Sequence, residues 1–363
     1  MSTRSKTPIL DVLSLLLVTF GLLACSASNS GPTPQQTPTV SATAEPTQQT
    51  EAPASDSGKK ITKDNAGKLR QMFLVPVSKT ALMAASVSAA NHQIATFGFD
   101  KVVRIFDGDT GDQKKELYGN SEYGRALGFS PDGTRLASGG AYYVWLWDAK
   151  TGQKIATTQV NTAILRLAWS PDGNTIAVVG QRSASIQLLD GKTGRMTNQL
   201  LNPTNYAMLA ISYAPDGKAI GVGDGRGWVT VFDPKTNQVL FDDHSRPRGA
   251  VSAVSFSPDG RYFGSCHLST GDIEIWQTSD WSQVMTKEQA HDGGCIDSTF
   301  SSDGEVYFTV GHDGKFNAWN VQTGELMNTI QEAQAVWSVS LSGDGELLAV
   351  AVDTGRMGII SVP

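Results

Sequence analysis

A turn of the form x-Asp-Gly returns along this chain at Asp132, Asp172, Asp216, Asp259, Asp303 and Asp344. A second landmark, the residue that closes the run Val231-Phe232-Asp233, returns at Asp107, Asp148, Asp190, Gln277, Asn320 and Ser361, with successive spacings of 41, 42, 43, 44, 43 and 41 residues. So regular a period points to one supersecondary unit that cannot bury its faces alone and stacks against copies of itself. Residues 249–277 show the unit clearly. Runs of strand character at 251–256, 261–266 and 273–276 are separated by Pro258-Asp259-Gly260 and by the cluster at 269–271. In the first break Pro presets φ, Asp bonds the backbone ahead of it and Gly accepts a positive φ, which makes it a turn with a mechanism.

The runs Ile105-Phe106-Asp107, Leu146-Trp147-Asp148, Val231-Phe232-Asp233, Ile275-Trp276-Gln277 and Ala318-Trp319-Asn320 each follow a Ser-Pro-Asp-Gly-like turn by about a dozen residues. In this the chain resembles the WD-repeat β-propeller family over residues 61–363. The resemblance implies an all-β architecture of four-stranded antiparallel blades. Seven blades are expected. Residues 65–73 resemble 322–330, the hairpin and fourth strand of a blade, yet no first three strands precede them. At the other end, 336–341, 347–350 and 357–360 are three strands with no fourth. The N-terminal strand is therefore expected to complete the last blade, removing two open sheet edges.

Between third and fourth strands the hairpins read Asp-Gly-Asp-Thr-Gly (107–111), Asp-Ala-Lys-Thr-Gly (148–152), Asp-Gly-Lys-Thr-Gly (190–194), Asp-Pro-Lys-Thr-Asn (233–237) and Asn-Val-Gln-Thr-Gly (320–324). The last position needs φ > 0, which Asn237 tolerates. Blade five departs, with Gln277-Thr278-Ser279-Asp280-Trp281, and a different loop conformation is expected there. Asp107, Asp109 and Asp112 imitate a calcium loop, but the same turn recurs without those acids. Blade six carries the family's full hydrogen-bond set: by resemblance His291, Thr309, Asp313 and Trp319 form a buried structural network.

The ends carry other signals. A short basic start precedes an apolar run at 12–23, long enough for a secretory leader and too short to span a bilayer. Leu22-Leu23-Ala24-Cys25 resembles the lipobox of bacterial lipoproteins, which implies lipid attachment at Cys25, removal of residues 1–25 up to that Cys, and an extracytoplasmic, membrane-anchored protein of the cell envelope. Residues 26–60 are dominated by Ser, Thr, Pro, Ala and Gln, with Val40 as the one large apolar residue, so a disordered tether is expected. Without the leader the formal charge is about −7, which argues against a nucleic-acid partner.

Enzyme signatures are missing. There is no Gly-x-Ser-x-Gly and no His-Glu-x-x-His. Residues 221–227 imitate a phosphate loop but connect two strands rather than a strand and a helix. His267, His291 and His312 have no short-spaced ligand pair, so no metal is expected. Quinone-dependent propellers place a docking Trp shortly after Thr-Gly, where this chain has Ala156 and Asn198. No cofactor is expected, and an enzyme of the lactone-hydrolase or quinoprotein type is the alternative reading. Cys266 and Cys295 fall in adjacent blades and read either as two buried thiols, the plainer option, or as a disulfide permitted by export.

Binding is left to the surface. Four residues before the strand-end aromatic or its equivalent stand Met83, Arg125, Leu165, Leu209, Ser252, Ile296 and Trp337, one per blade, with Tyr123 beside Arg125. At the mouth of the channel they would make an exposed apolar patch for a protein or peptide partner; shifted by one residue, they would pack inside the blades. The expected function is a non-catalytic, membrane-tethered scaffold with a monomeric propeller head.

Overall fold

The computed structural model describes residues 59–120, 122–181, 183–201, 206–245 and 249–362, so Cys25, the 1–25 leader and all but the last two residues of the 26–60 linker lie outside the described residues. The described residues form seven four-stranded antiparallel sheets and one short 3-10 turn, Ala66–Lys68. Six sheets use consecutive strands; blade one, for example, runs Leu82–Ser88, Gln93–Gly98, Val103–Asp107 and Gln113–Leu117. The seventh combines Val336–Leu341, Leu348–Val352 and Arg356–Ser361 with Arg70–Pro76 from the other end of the chain. Arg70 lies opposite Ser361 and Phe73 opposite Ile359, so the ring closes as expected from the sequence.

Each blade is layered from the channel outward. Second and third strands are covered on both faces by neighbouring blades, so Tyr262–His267 and Val306–Gly311 are buried along their whole length rather than at alternate residues. Strands of this kind lose the period-two pattern, for the same reason that strands of a doubly covered parallel sheet do. Fourth strands face water: Lys154–Gln159 and Met196–Leu201 are mostly exposed and polar.

The closing strand is held by more than its ladder. Ile61, Ala66 and Leu69 are buried with Val306, Phe308, Val350 and Ile360 between blades six and seven. Phe73 and Val75 pack with Leu347, Ile359, Leu82 and Phe106 between blades seven and one. Polar contacts set the register: the Ile61 N–H donates to the Gly345 carbonyl at 2.7 Å, and Asn328 Nδ2 donates to the Leu69 carbonyl at 2.7 Å.

One alternative left open by the sequence is decided and one expectation is corrected. Cys266 and Cys295 are a disulfide across the seam between blades five and six, with Cα atoms 5.5 Å apart, a separation that needs no backbone movement. The two thiols meet because strand Tyr262–His267 and strand Cys295–Phe300 pack face to face, which the 29-residue spacing does not reveal. The blade-five hairpin keeps the common conformation: Trp281 N–H donates to the Gln277 carbonyl at 2.8 Å, as Asn237 N–H does to Asp233 at 2.8 Å, and φ is +58° at Trp281 and +57° at Asn237. A bulky residue at positive φ is strained. Here the indole stacks on Phe241 of blade four, centroids 4.4 Å apart and planes 6° from parallel, which offsets that cost.

The acids of the other hairpins act as turn caps. Asp107 Oδ1 accepts from the N–H groups of Asp109 and Thr110 and from the Thr110 hydroxyl; Asp148, Asp190 and Asp233 accept in the same way from the residues after them.

Candidate functional site

The polar chain of blade six is assembled from two strands and two turns. Trp319 Nε1–H donates to Thr309 Oγ1 at 2.9 Å; Thr309 Oγ1 lies 2.7 Å from His291 Nε2, and His291 Nδ1 lies 3.0 Å from Asp313 Oδ1. With Asp313 as acceptor the ring proton sits on Nδ1, Nε2 accepts from the Thr309 hydroxyl, and that oxygen accepts from the indole. Burial pushes the Asp313 carboxyl up, but the hydrogen bond from His291 and the N–H groups of Lys315 and Asp292 outweigh it and hold the group below its ordinary value. His291 is 1% exposed, so no substrate reaches this pair.

Blade two carries a shorter version that the sequence did not announce. Trp147 Nε1–H donates to Ser138 Oγ at 2.9 Å, Ser138 Oγ donates to Asn120 Oδ1 at 3.2 Å, and Asn120 Nδ2 donates to the Lys101 carbonyl at 3.1 Å. Ser replaces Thr, and Asn replaces His. In blade five, Ser265, His267 and Glu274 imitate a nucleophile triad. However, Ser265 Oγ (3.1 Å) and Glu274 Oε2 (3.2 Å) both lie on His267 Nε2, and His267 is fully buried, so the ring cannot pass a proton from one to the other.

His267, His291 and His312 go to separate tasks; His312 Nδ1 lies 2.8 Å from the Gly293 carbonyl, and its ring meets the Trp337 edge. Among the described residues, metal-capable atoms approach one another instead at His92, Asp344 and Glu346, all within 4.8 Å. His92 also lies 3.7 Å from Asp109. These groups are solvent-accessible, at the seam of blades seven and one.

The seven residues singled out on the first strands share one backbone feature. In blades one and three to seven the ladder between first and second strands skips one residue, which is Met83, Leu165, Leu209, Ser252, Ile296 or Trp337. In blade two Arg125 N–H donates to the Gly139 carbonyl while Ala126 pairs with Gly139, the same two-against-one arrangement. Each is a β-bulge residue, which re-aims its side chain out of the alternation. The ring is recessed: Met83, Leu209 and Ile296 are buried, while Arg125, Leu165, Ser252, Trp337 and the neighbouring Tyr123 are half-buried. They do not form the exposed apolar patch expected of them. Ser252 Oγ instead donates across the seam to the Cys295 carbonyl at 2.7 Å, and Trp337 Nε1 donates to Asp353 Oδ1 at 2.8 Å.

Exposed aromatic surface lies nearby, in turns that the first-strand register could not point to. The end of the disc where first strands begin also holds the turns from second to third strands. Phe99, in such a turn, is 44% exposed and meets Tyr123 at 5.4 Å. On blade four the Arg226 guanidinium is sandwiched between the rings of Tyr206, 3.2 Å away, and Trp228, 3.3 Å away, with His244 stacked on Trp228 at 4.1 Å. Aromatic residues in a turn that begins or ends a buried strand were the available signal. The opposite end carries the Asp-Gly and Thr-Gly turns and is polar.

Inside the ring the first strands line a channel with a cavity of about 330 Å³. Serines cross the seams here: Ser86 Oγ accepts from the Phe129 N–H at 3.1 Å and Ser340 Oγ from the Val87 N–H at 3.1 Å. Asp297 accepts from the N–H groups of Ser298 (3.0 Å) and Val339 (3.1 Å). Burial raises the Asp297 carboxyl above its ordinary value, opposed by the charge of Arg166 and by these hydrogen bonds.

Comparison with known proteins agrees with this architecture. The family described as the IFT122 first beta-propeller matches residues 81–361, from the start of blade one to the last strand of blade seven. Target of rapamycin complex subunit LST8 of Bos taurus is 22% identical over 265 residues, covering 70% of this chain and 78% of that protein. THO complex subunit 3 of Arabidopsis thaliana is 24% identical over 269 residues, covering 72% and 83%. Actin-interacting protein 1 of Drosophila melanogaster is 26% identical over 247 residues, covering 61% of this chain and 40% of that longer protein.

Proposed function

The chain belongs to the IFT122 first beta-propeller family, and from that premise we propose that it is a non-catalytic WD-repeat platform that holds a protein or peptide partner at the extracytoplasmic side of a bacterial membrane. The observation that carries the platform reading is the end of the disc where first strands begin, with Phe99 and Tyr206 exposed beside Tyr123, Arg226 and Trp228. Tyr, Trp and Arg are the side chains that dominate interface energetics. The relatives' names, two complex subunits and an interacting protein, favour the same reading. His291, Asp313 and His267 are engaged in buried structural bonds, which further favours a scaffold over an enzyme.

Membrane tethering rests on the sequence: the apolar run at 12–23, the Leu22-Leu23-Ala24-Cys25 motif and the polar stretch that follows. Two or three acyl chains on Cys25 hold a protein where one does not.

Photo-cross-linking on intact cells tests the platform. A benzoylphenylalanine at position 99 is expected to trap one specific protein, and one at position 196, exposed on an outer strand, is not. Adducts from 196 alone, or none from 99, overturn the proposed face. In the same cells Cys25→Ser is expected to leave the membrane fraction; retention there overturns the anchor. Trp337→Ala, at a half-buried position, is expected to keep the fold while weakening the adduct at 99.

A further inference from the structure

Only three ionisable side chains line the central channel among the described residues: Arg125, Arg166 and Asp297. Two of them already have hydrogen-bond partners. Arg166 donates to the Leu165 carbonyl on its own strand and to the Ile296 carbonyl across the channel, both at 3.2 Å. Asp297 is occupied by two backbone N–H groups, as described above. Arg125 is different. Among the described residues nothing accepts a hydrogen bond from its guanidinium and no carboxylate pairs with it. Its neighbourhood is hostile to a cation: burial, and then the like charge of Arg166, push its pKa down. A guanidinium cannot escape by losing its proton at ordinary pH, so five rigid donors face a half-buried cavity whose one carboxylate, Asp297, is coupled to Arg166 rather than bonded to Arg125. The rest of the lining supplies hydroxyls, Ser298 and Ser340 among them, and small apolar residues such as Ala84 and Ala126.

We propose that this channel binds a small oxyanion, held by Arg125 with Arg166 as the second cation and serine hydroxyls completing the shell. A planar, forked donor set is the partner that carboxylate and phosphate groups select, and its strength rises where water is excluded. The cavity of about 330 Å³ admits a compact anion rather than a polymer. The proposal stands apart from the platform reading: docking of a protein partner on the rim does not require a filled channel, and neither result decides the other.

Thermal unfolding tests it, with inorganic phosphate and acetate titrated separately and sodium chloride at matched ionic strength as the control. For the wild type, one of the two oxyanions is expected to raise Tm by roughly 5 °C at about a hundredfold excess over its Kd, and chloride is not. Which one acts separates a phosphate ligand from a carboxylate ligand. Arg125→Met is expected to fold with a Tm in chloride no lower than the wild type, because it removes an unpaired, half-buried charge, and to lose the oxyanion response. Should Arg125→Met fail to fold, Arg125→Lys serves in its place: a point charge without the fork is expected to need roughly tenfold more oxyanion for the same rise. A wild type that responds to neither oxyanion overturns the site, as does an equal response in the Arg125 variant.

Discussion

Blades six and seven are neighbours of the same length, and they hold together by different means. Blade six is one continuous run of chain stapled by a polar network: Thr309, Trp319 and His291, all buried, satisfy one another and anchor to the partly exposed Asp313. Blade seven has Val350 and Ile360 at the positions of Thr309 and Trp319 and is apolar there. It also takes its outer strand, Arg70–Pro76, from the far end of the chain. One blade is specified by short-range chemistry. The other depends on a strand paired with the opposite end of the chain, with the loop-closure cost of the whole ring.

Deleting residues 61–76 is the strongest way to break this comparison. It removes Ile61, Leu69, Phe73 and Val75 from two seams and exposes the Arg356–Ser361 edge. At about 1.5–3 kcal/mol per buried apolar side chain, the expected loss exceeds about 5 kcal/mol, a large part of the stability of a domain. Size-exclusion chromatography and thermal melting are expected to find aggregates or a molten species. A soluble monomer with unchanged melting contradicts the closure.

His291→Ala attacks the other side. It leaves a cavity where a fully buried ring stood and takes the acceptor from the Thr309 hydroxyl, while Asp313 keeps the N–H groups of Lys315 and Asp292, for an expected loss of about 3–4 kcal/mol in urea denaturation. A loss under about 1 kcal/mol would mean the network contributes nothing particular to blade six. Close behind comes the seam between blades five and six. Replacing Cys266 and Cys295 together by Ser opens a loop with a sequence separation of 29 and is expected to cost about 3 kcal/mol relative to the oxidised protein. Thiol titration of the denatured, unreduced wild type is expected to find neither of these two sulfurs free.

Val350→Thr sharpens the contrast by placing in blade seven the hydroxyl that blade six uses. With Ile360 where the indole would be, the expected cost is about 2 kcal/mol. A neutral result would show that blade seven tolerates the polar design without its partners.

The smallest effect concerns the turns. The Ser170 hydroxyl, then the backbone N–H and side chain of Asn174, hold the Asp172 carboxyl down at about 2. A carboxyl lowered in the folded state contributes stability above its unfolded value, near 3.8, and that contribution disappears as pH falls toward about 2. Ser170→Ala is expected to move the Asp172 titration upward in a carbon-detected NMR experiment, with little change in stability at pH 7 because the group is exposed. Blade four already carries Ala214 at the corresponding position.

Much of the fold was legible because its signals are local. The Asp-Gly turns, the Thr-Gly hairpins and the unmatched strands at the two ends each depend on a few adjacent residues. The site was legible only in part. The offset that picked out Met83, Leu165 and Trp337 found a real feature, the bulge on each first strand, but a bulge adds one residue to a period-two element and so reverses which face the side chain takes. Blade two's Asn120–Ser138–Trp147 chain escaped notice because it performs the blade-six task with other residue types.

The amino-acid sequence by itself determined the number of blades and their turn chemistry, since these follow from hydrogen bonds and torsions reaching only a few residues, and the strand count, with one strand over at the start and one missing at the end, determined the partnership of the two chain ends. Tertiary structure alone decided that Cys266 meets Cys295, that Trp281 holds a positive φ by stacking on Phe241, and that Arg125 faces a cavity with no carboxylate bonded to it. Those outcomes are set where one blade's side chains meet the next, some forty residues away, and the packing of two faces is not written in the order of residues along either one.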